Sequence, residues 1–167
     1  MTVAPGSPVL VTGASGRLGR LVVACLLKAN FKVRAFVRSK NRAAEALGES
    51  LSHVELYEGD IVTSPQTLEP AIVGADALII CTSSQPQPKA SYDPSKRGMD
   101  PTGYEFPDGA NGMPEAVDWL GQKAQVDFAV ENQHAVKHIV LVSSMGTAQG
   151  AIPVDGHENF LDEMGGG

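Results

Sequence analysis

The sequence has no apolar run approaching the roughly 18 residues that a membrane-crossing helix needs, so no transmembrane span is expected. Aromatic residues are scarce at 5%, and basic charge is not in excess: 13 Lys and Arg against 19 Asp and Glu leave a net charge of -6. That balance argues against nonspecific nucleic-acid binding as the main occupation. Only two cysteines are present, Cys25 and Cys81, neither in a CxxC pair. Each sits in an apolar stretch where a buried, reduced thiol is expected, which fits a soluble protein of a reducing compartment. No basic segment followed by an apolar stretch precedes the first strand, so no targeting peptide is expected. A processed organellar chain reads the same way, which leaves cytoplasm and plastid stroma both open. There is no GxxxxGK[ST] loop for a mononucleotide. No metal site is expected either, because the helix that would align His134 with His138 should end before His138 opens a strand.

What is there is a core. The 167 residues are 43% hydrophobic and 19% charged, enough for one domain without metals or disulfide staples. Short β-branched runs at 9–12, 32–37, 54–57, 77–81 and 138–142 alternate with helical patterns at 17–28, 41–47, 67–72 and 115–130. In the first helix Leu18, Leu21, Val22, Cys25 and Leu26 repeat at helical spacing; in the last, Val117, Leu120, Ala124 and Phe128 do. Strand–helix alternation of this kind predicts an α/β, three-layer Rossmann fold, with a parallel sheet in the order 3-2-1-4-5 and helices on both faces. Ligands of such sheets bind at the carboxyl ends of the first and fourth strands. Segment 82–113 interrupts the pattern with five prolines and four glycines. Leaving the ligand edge without regular structure, it reads as a lid. After Ser144 the Gly-rich residues 148–167 read as a loose tail, so the ligand-binding Rossmann domain is expected over 1–147.

The most informative stretch joins the first strand to the first helix: Gly13-Ala14-Ser15-Gly16-Arg17-Leu18-Gly19. Gly13 suits a tight turn, Gly16 lets the backbone approach a pyrophosphate, and Gly19 lets the helix pack on the strand. Amides at the helix start then attract phosphate. At the end of the second strand, where an acid normally binds the ribose 2′-hydroxyl of NAD, this chain has Arg38-Ser39-Lys40. A guanidinium there suits the 2′-phosphate of NADP(H), with Lys40 and Arg17 adding charge, although such a pair also reads as a solvated loop.

These segments, together with Gly59-Asp60-Ile61, Val117-Asp118-Trp119-Leu120-Gly121-Gln122-Lys123 and the 138–146 run, resemble the atypical short-chain dehydrogenase/reductases. The likeness is to the NmrA-like NAD(P)-binding proteins of plants and algae, and it covers about residues 8–147. It implies that Asp60 and Ile61 lie against adenine, that Cys81, Thr82 and Ser83 approach the riboses, and that Ser143 and Ser144 face the nicotinamide. Asp60 suits a turn or cap carboxylate equally well, Cys81 suits core packing, and Trp119 suits helix packing.

The wider superfamily reduces carbonyls with a Tyr-xxx-Lys pair on the helix after the fifth strand, and this chain has no Tyr after Ser143. Tyr92 and Lys96 match the spacing, but Pro94 breaks any helix that would align them. The family's further substrate-binding part is expected to be absent. The resemblance therefore implies an NADP(H)-binding protein that serves as a cofactor-binding, redox-sensing or assembly subunit with little activity of its own. Its partners would be the dinucleotide and a protein partner or larger assembly. The alternative is an NADPH-dependent oxidoreductase acting on a small carbonyl compound, with Ser143 or Ser144 polarising the substrate.

Overall fold

The computed structural model describes residues 2–93, 103–131 and 136–142. In chain order these form β1 (Pro8–Thr12), α1 (Gly19–Lys28), β2 (Lys32–Val37), α2 (Lys40–Leu47), β3 (Val54–Glu58), α3 (Glu69–Ile72), β4 (Ala77–Ile80), β5 (Gln87–Pro88), β6 (Tyr104–Glu105), α4 (Gln122–Glu131) and β7 (His138–Leu141). Five strands pair in parallel in the order β3-β2-β1-β4-β7, which is the doubly wound order expected from the sequence with β7 as its fifth strand.

The strands lie at the centre because their side chains are apolar on both faces. Leu10, Leu78 and Ile80 pack with Ala71 and Ile72 of α3 and Ala129 of α4. Val11, Val33, Ala35 and Val37 pack on the other face with Val23 of α1 and Ala43 and Leu47 of α2. Arg34, within β2, reaches the carbonyls of Ala71 (2.9 Å) and Val73 (2.6 Å). It thereby satisfies acceptors that the C-terminal end of α3 leaves open. At the other edge Lys137 donates its backbone N–H to Asp76 O (2.8 Å) and its ammonium to Asp76 Oδ1 (2.7 Å), tying the start of β7 to the start of β4. The Lys137 hydrogen bond holds the Asp76 carboxyl below the usual carboxylate range.

Several local expectations are corrected. α1 buries Gly19 and Val23, while Leu18, Leu21 and Cys25 are exposed. The helix phase follows Gly19, which lies so close to the Gly13 carbonyl that positions four and seven further on, Val23 and Leu26, turn inward. The expected single helix at 115–130 opens as a π-helix over Glu115–Gly121 before α4. A π-turn shifts the phase of what precedes it, so Leu120 and Trp119 are exposed instead of packed. The described parts of segment 82–113 are not structureless either: Gln87 and Pro88 pair antiparallel with Glu105 and Tyr104, and Gly109–Gly112 forms a 3-10 turn. The fifth strand, expected to be covered, leaves Ile139, Val140 and Leu141 between 37% and 49% exposed. Ser143, Ser144, His134, Lys96 and the 148–167 tail lie outside the described residues.

Candidate functional site

A parallel sheet sends all its strands toward one carboxyl edge, where the loops leaving β1, β2, β3 and β4 meet. Together with residues between 82 and 87 and between 107 and 112 they line a cavity of about 680 Å³, within the few-hundred to roughly 1,000 Å³ typical of cofactor sites.

The β1 loop brings Gly13, Ser15 and Gly16 to the cavity. Gly13 has φ of +66°, and a Cβ there would stand 2.8 Å from the Cys81 carbonyl oxygen, so the turn needs glycine twice over. Ala14 is fully buried beneath the turn, and Gly19 packs against it. Arg17 and Leu18 are exposed outside the lining. α1 begins with no side-chain cap and no acid in its first turn, so no carboxylate there opposes its positive dipole end, while the N–H groups of Arg20 and Leu21 donate to the carbonyls of Gly16 (3.1 Å) and Leu18 (3.0 Å). A dinucleotide fits this turn, because Gly16 has no side chain to fill the space beside the cavity and the dipole at the helix start favours a phosphate.

β2 delivers Arg38 and Ser39 to the lining. Ser39 also caps α2, its Oγ accepting from Arg42 N–H at 3.4 Å. Lys40 stays outside the lining; the second cation there is Arg42, in the first turn of α2. Arg38 Nη1 donates to Asp108 Oδ2 at 2.7 Å, an ion pair whose side chains are 56% and 51% exposed. Asp108 belongs to the segment covering the cavity.

From β3, Asp60 and Ile61 line the cavity. Asp60 Oδ1 accepts from the N–H groups of Val62 (2.8 Å) and Thr63 (3.3 Å), so the carboxylate closes the turn as well as facing the cavity. From β4 come Cys81, Thr82 and Ser83, joined by Ser84. Cys81 is half-buried, which raises its thiol pKa, and its chain also packs against the α1 side of the core.

The sequence reading missed the residues that hold this last loop. Asp118 accepts from Ser84 N–H (3.1 Å) and Ser84 Oγ (2.6 Å); Gln122 Nε2 donates to Thr82 O (2.9 Å) and Gln125 Nε2 to Thr82 Oγ1 (3.1 Å). Their spacing of four and three was a detectable one-face signal. Tyr92 packs on Tyr104, ring centroids 5.1 Å apart, outside the cavity lining.

The sheet order, the glycine turn and the shared carboxyl-edge cavity define a Rossmann-type nicotinamide-dinucleotide domain. The chain matches the NAD(P)H-binding family over residues 13–164, and it belongs to that family. It is 43% identical to a chloroplastic Arabidopsis thaliana protein over 157 residues, covering 92% of this chain and 45% of that protein. It is 40% identical to sanguinarine reductase of Eschscholzia californica over 177 residues, covering 95% and 59%. The photosystem II assembly factor Ycf39 of Trieres chinensis is 31% identical over 140 residues, covering 84% and 35%. The chain thus spans about half the length of the first two relatives. A solved NmrA variant shares the fold with a TM-score of 0.57 at 20% identity, over 89% of this chain and 36% of that one. No helix among the described residues is long and apolar enough to cross a membrane.

Proposed function

We propose that this chain binds NADP(H) in preference to NAD(H) and acts in a plastid as a cofactor-sensing or assembly subunit with little activity of its own. The observation that carries the cofactor choice is the pair of guanidiniums, Arg38 and Arg42, lining the cavity where β2 ends. The acid beside them, Asp108, comes from the covering segment, and an exposed ion pair of this kind contributes only about 0–1 kcal/mol. A 2′-phosphate can displace it. Gly13, Ser15 and Gly16 would hold the pyrophosphate, Asp60 and Ile61 the adenine, and Cys81, Thr82 and Ser83 the riboses. The chloroplastic and assembly-factor relatives support the plastid placement and the partner protein.

The sanguinarine reductase relative favours a second reading, NADPH-dependent reduction of a small carbonyl compound, in which Ser143 or Ser144 would polarise the substrate. General acid catalysis supplies about 10²–10⁴-fold, and no Tyr-xxx-Lys pair occurs among the described residues lining the cavity. Stopped-flow oxidation of NADPH against a carbonyl panel is therefore expected to stay at background in the purified chain while fluorescence titration reports binding. Tyr92→Phe should alter neither. Rapid turnover would overturn the subunit reading, and its collapse in Tyr92→Phe would restore a catalytic role to that tyrosine.

The thiols offer a footprint of the bound state. Exposed Cys25 should alkylate first at neutral pH, whereas burial keeps Cys81 protonated and slow. Saturating NADPH should slow Cys81 further and leave Cys25 unchanged, as read by mass spectrometry with iodoacetamide. Equal Cys81 rates with and without NADPH would place the cofactor elsewhere.

A further inference from the structure

Gln125 is fully buried, yet only half of its carboxamide is spoken for. Its Nε2 donates to the Gly121 carbonyl (3.0 Å) and to Thr82 Oγ1 (3.1 Å), and its Oε1 has no partner among the described residues. A carbonyl can only accept, so the contact with Gly121 O fixes which end of the amide faces Thr82. Thr82 Oγ1 must then accept from Gln125, and its single hydroxyl proton is left to point elsewhere. One turn earlier Gln122 Nε2 holds the Thr82 carbonyl at 2.9 Å, and Asp118 takes both the N–H and the hydroxyl of Ser84. Three residues on one helical face thereby grip the loop from both sides of Ser83.

Thr82 lines the cavity. It leaves β4 while Arg38 leaves β2, with β1 and its glycine turn between them. Two strand spacings separate their exits, roughly 10 Å. A ligand whose phosphorylated adenosine half sits at Arg38 and whose pyrophosphate crosses the glycine turn presents its other half to Thr82.

We infer that Gln125, Gln122 and Asp118 are positioning residues that hold Thr82 as a fixed hydrogen-bond donor to the nicotinamide half of the bound dinucleotide. The inference rests on the NADP(H) reading above. The donor is set before the ligand arrives, so its hydrogen bond costs no reorientation on binding. Gln125 does this without touching the ligand, and its role in the interior would look purely structural in a stability screen.

The test separates the two halves of the ligand by titrating NADPH and 2′,5′-ADP, which keeps the phosphorylated adenosine and lacks the nicotinamide. Thr82→Val should weaken NADPH by about 3- to 10-fold, the range of one net hydrogen bond, and leave 2′,5′-ADP unchanged. Thr82→Ser should restore most of the loss. Gln125→Met and, at a half-buried position where folding is less at stake, Gln122→Met should produce the same selective loss with Thr82 intact. Equal weakening of both ligands in these variants would make the three residues structural only and overturn the inference, as would unchanged NADPH affinity in Thr82→Val. A parent chain that binds 2′,5′-ADP with no gain for NADPH overturns it too. A parent that binds neither ligand instead removes the NADP(H) reading itself, and the inference with it.

Discussion

Gly16→Val is expected to weaken NADPH binding by at least about 100-fold, close to 2.7 kcal/mol, in a protein that still folds. A Cβ at Gly16 meets only the Gly13 carbonyl oxygen, at 3.1 Å, a contact that a small shift of the turn relieves. Its stability cost should therefore stay near about 1 kcal/mol, while the added branches occupy the space a pyrophosphate needs. Gly19→Ala is the contrast. There a Cβ is driven into the Gly13 carbonyl oxygen with Ala14 Cα at 2.9 Å, and both neighbours are backbone. Strain of this kind should cost about 3 kcal/mol, lowering Tm by roughly 6–12 °C for a domain of this size. Thermal melts paired with calorimetric titration separate the two. Wild-type NADPH affinity in folded Gly16→Val would mean that no phosphate crosses this turn.

Arg38→Ala should shrink the preference for NADPH over NADH by about 10- to 100-fold, since a hydrogen bond to a charged group contributes about 1.5–3 kcal/mol. Asp108→Asn should act in the opposite direction. Removing the carboxylate that occupies Arg38 Nη1 frees the guanidinium for the 2′-phosphate, and NADPH should tighten by up to about fivefold. NADH, with no phosphate at that carbon, should respond to neither substitution. Because the pair is exposed, both effects should fade as salt rises. Competition titrations at two ionic strengths measure this. A loss of NADH affinity in Asp108→Asn would instead make Asp108 a partner of the ribose hydroxyl.

The parts of this fold that were legible in the sequence are those decided by burial on both faces. Val9, Leu10 and Val11 form a continuous apolar run because all three are buried, Leu10 and Val11 against helices on opposite faces, and that pattern survives into the observed strand order. The glycine turn was legible because strand, turn and helix follow one another. What could not be read depends on contacts between distant segments. The phase of α1 is set by the approach of Gly19 to Gly13, which hydrophobic spacing does not encode, so Leu18, Leu21 and Cys25 turned outward. The π-turn before α4 depends on local geometry that no composition signal marks, and it carried Trp119 and Leu120 to the surface. Arg42 lines the cavity in place of Lys40, in a first helical turn whose N–H groups Ser39 caps, and the bare order of charges after β2 does not distinguish the two. The antiparallel pair of Gln87 and Pro88 with Glu105 and Tyr104 joins residues far apart along a Pro- and Gly-rich segment, where local propensity points to loop.

The most direct measurement is isothermal titration of the 167-residue chain with NADPH and with NADH in the same buffer at low salt. Two guanidiniums at the β2 exit and a bare glycine turn predict saturable binding of both cofactors, with NADPH tighter by about tenfold or more. Equal affinities for NADPH and NADH, or no binding of either, would contradict the account.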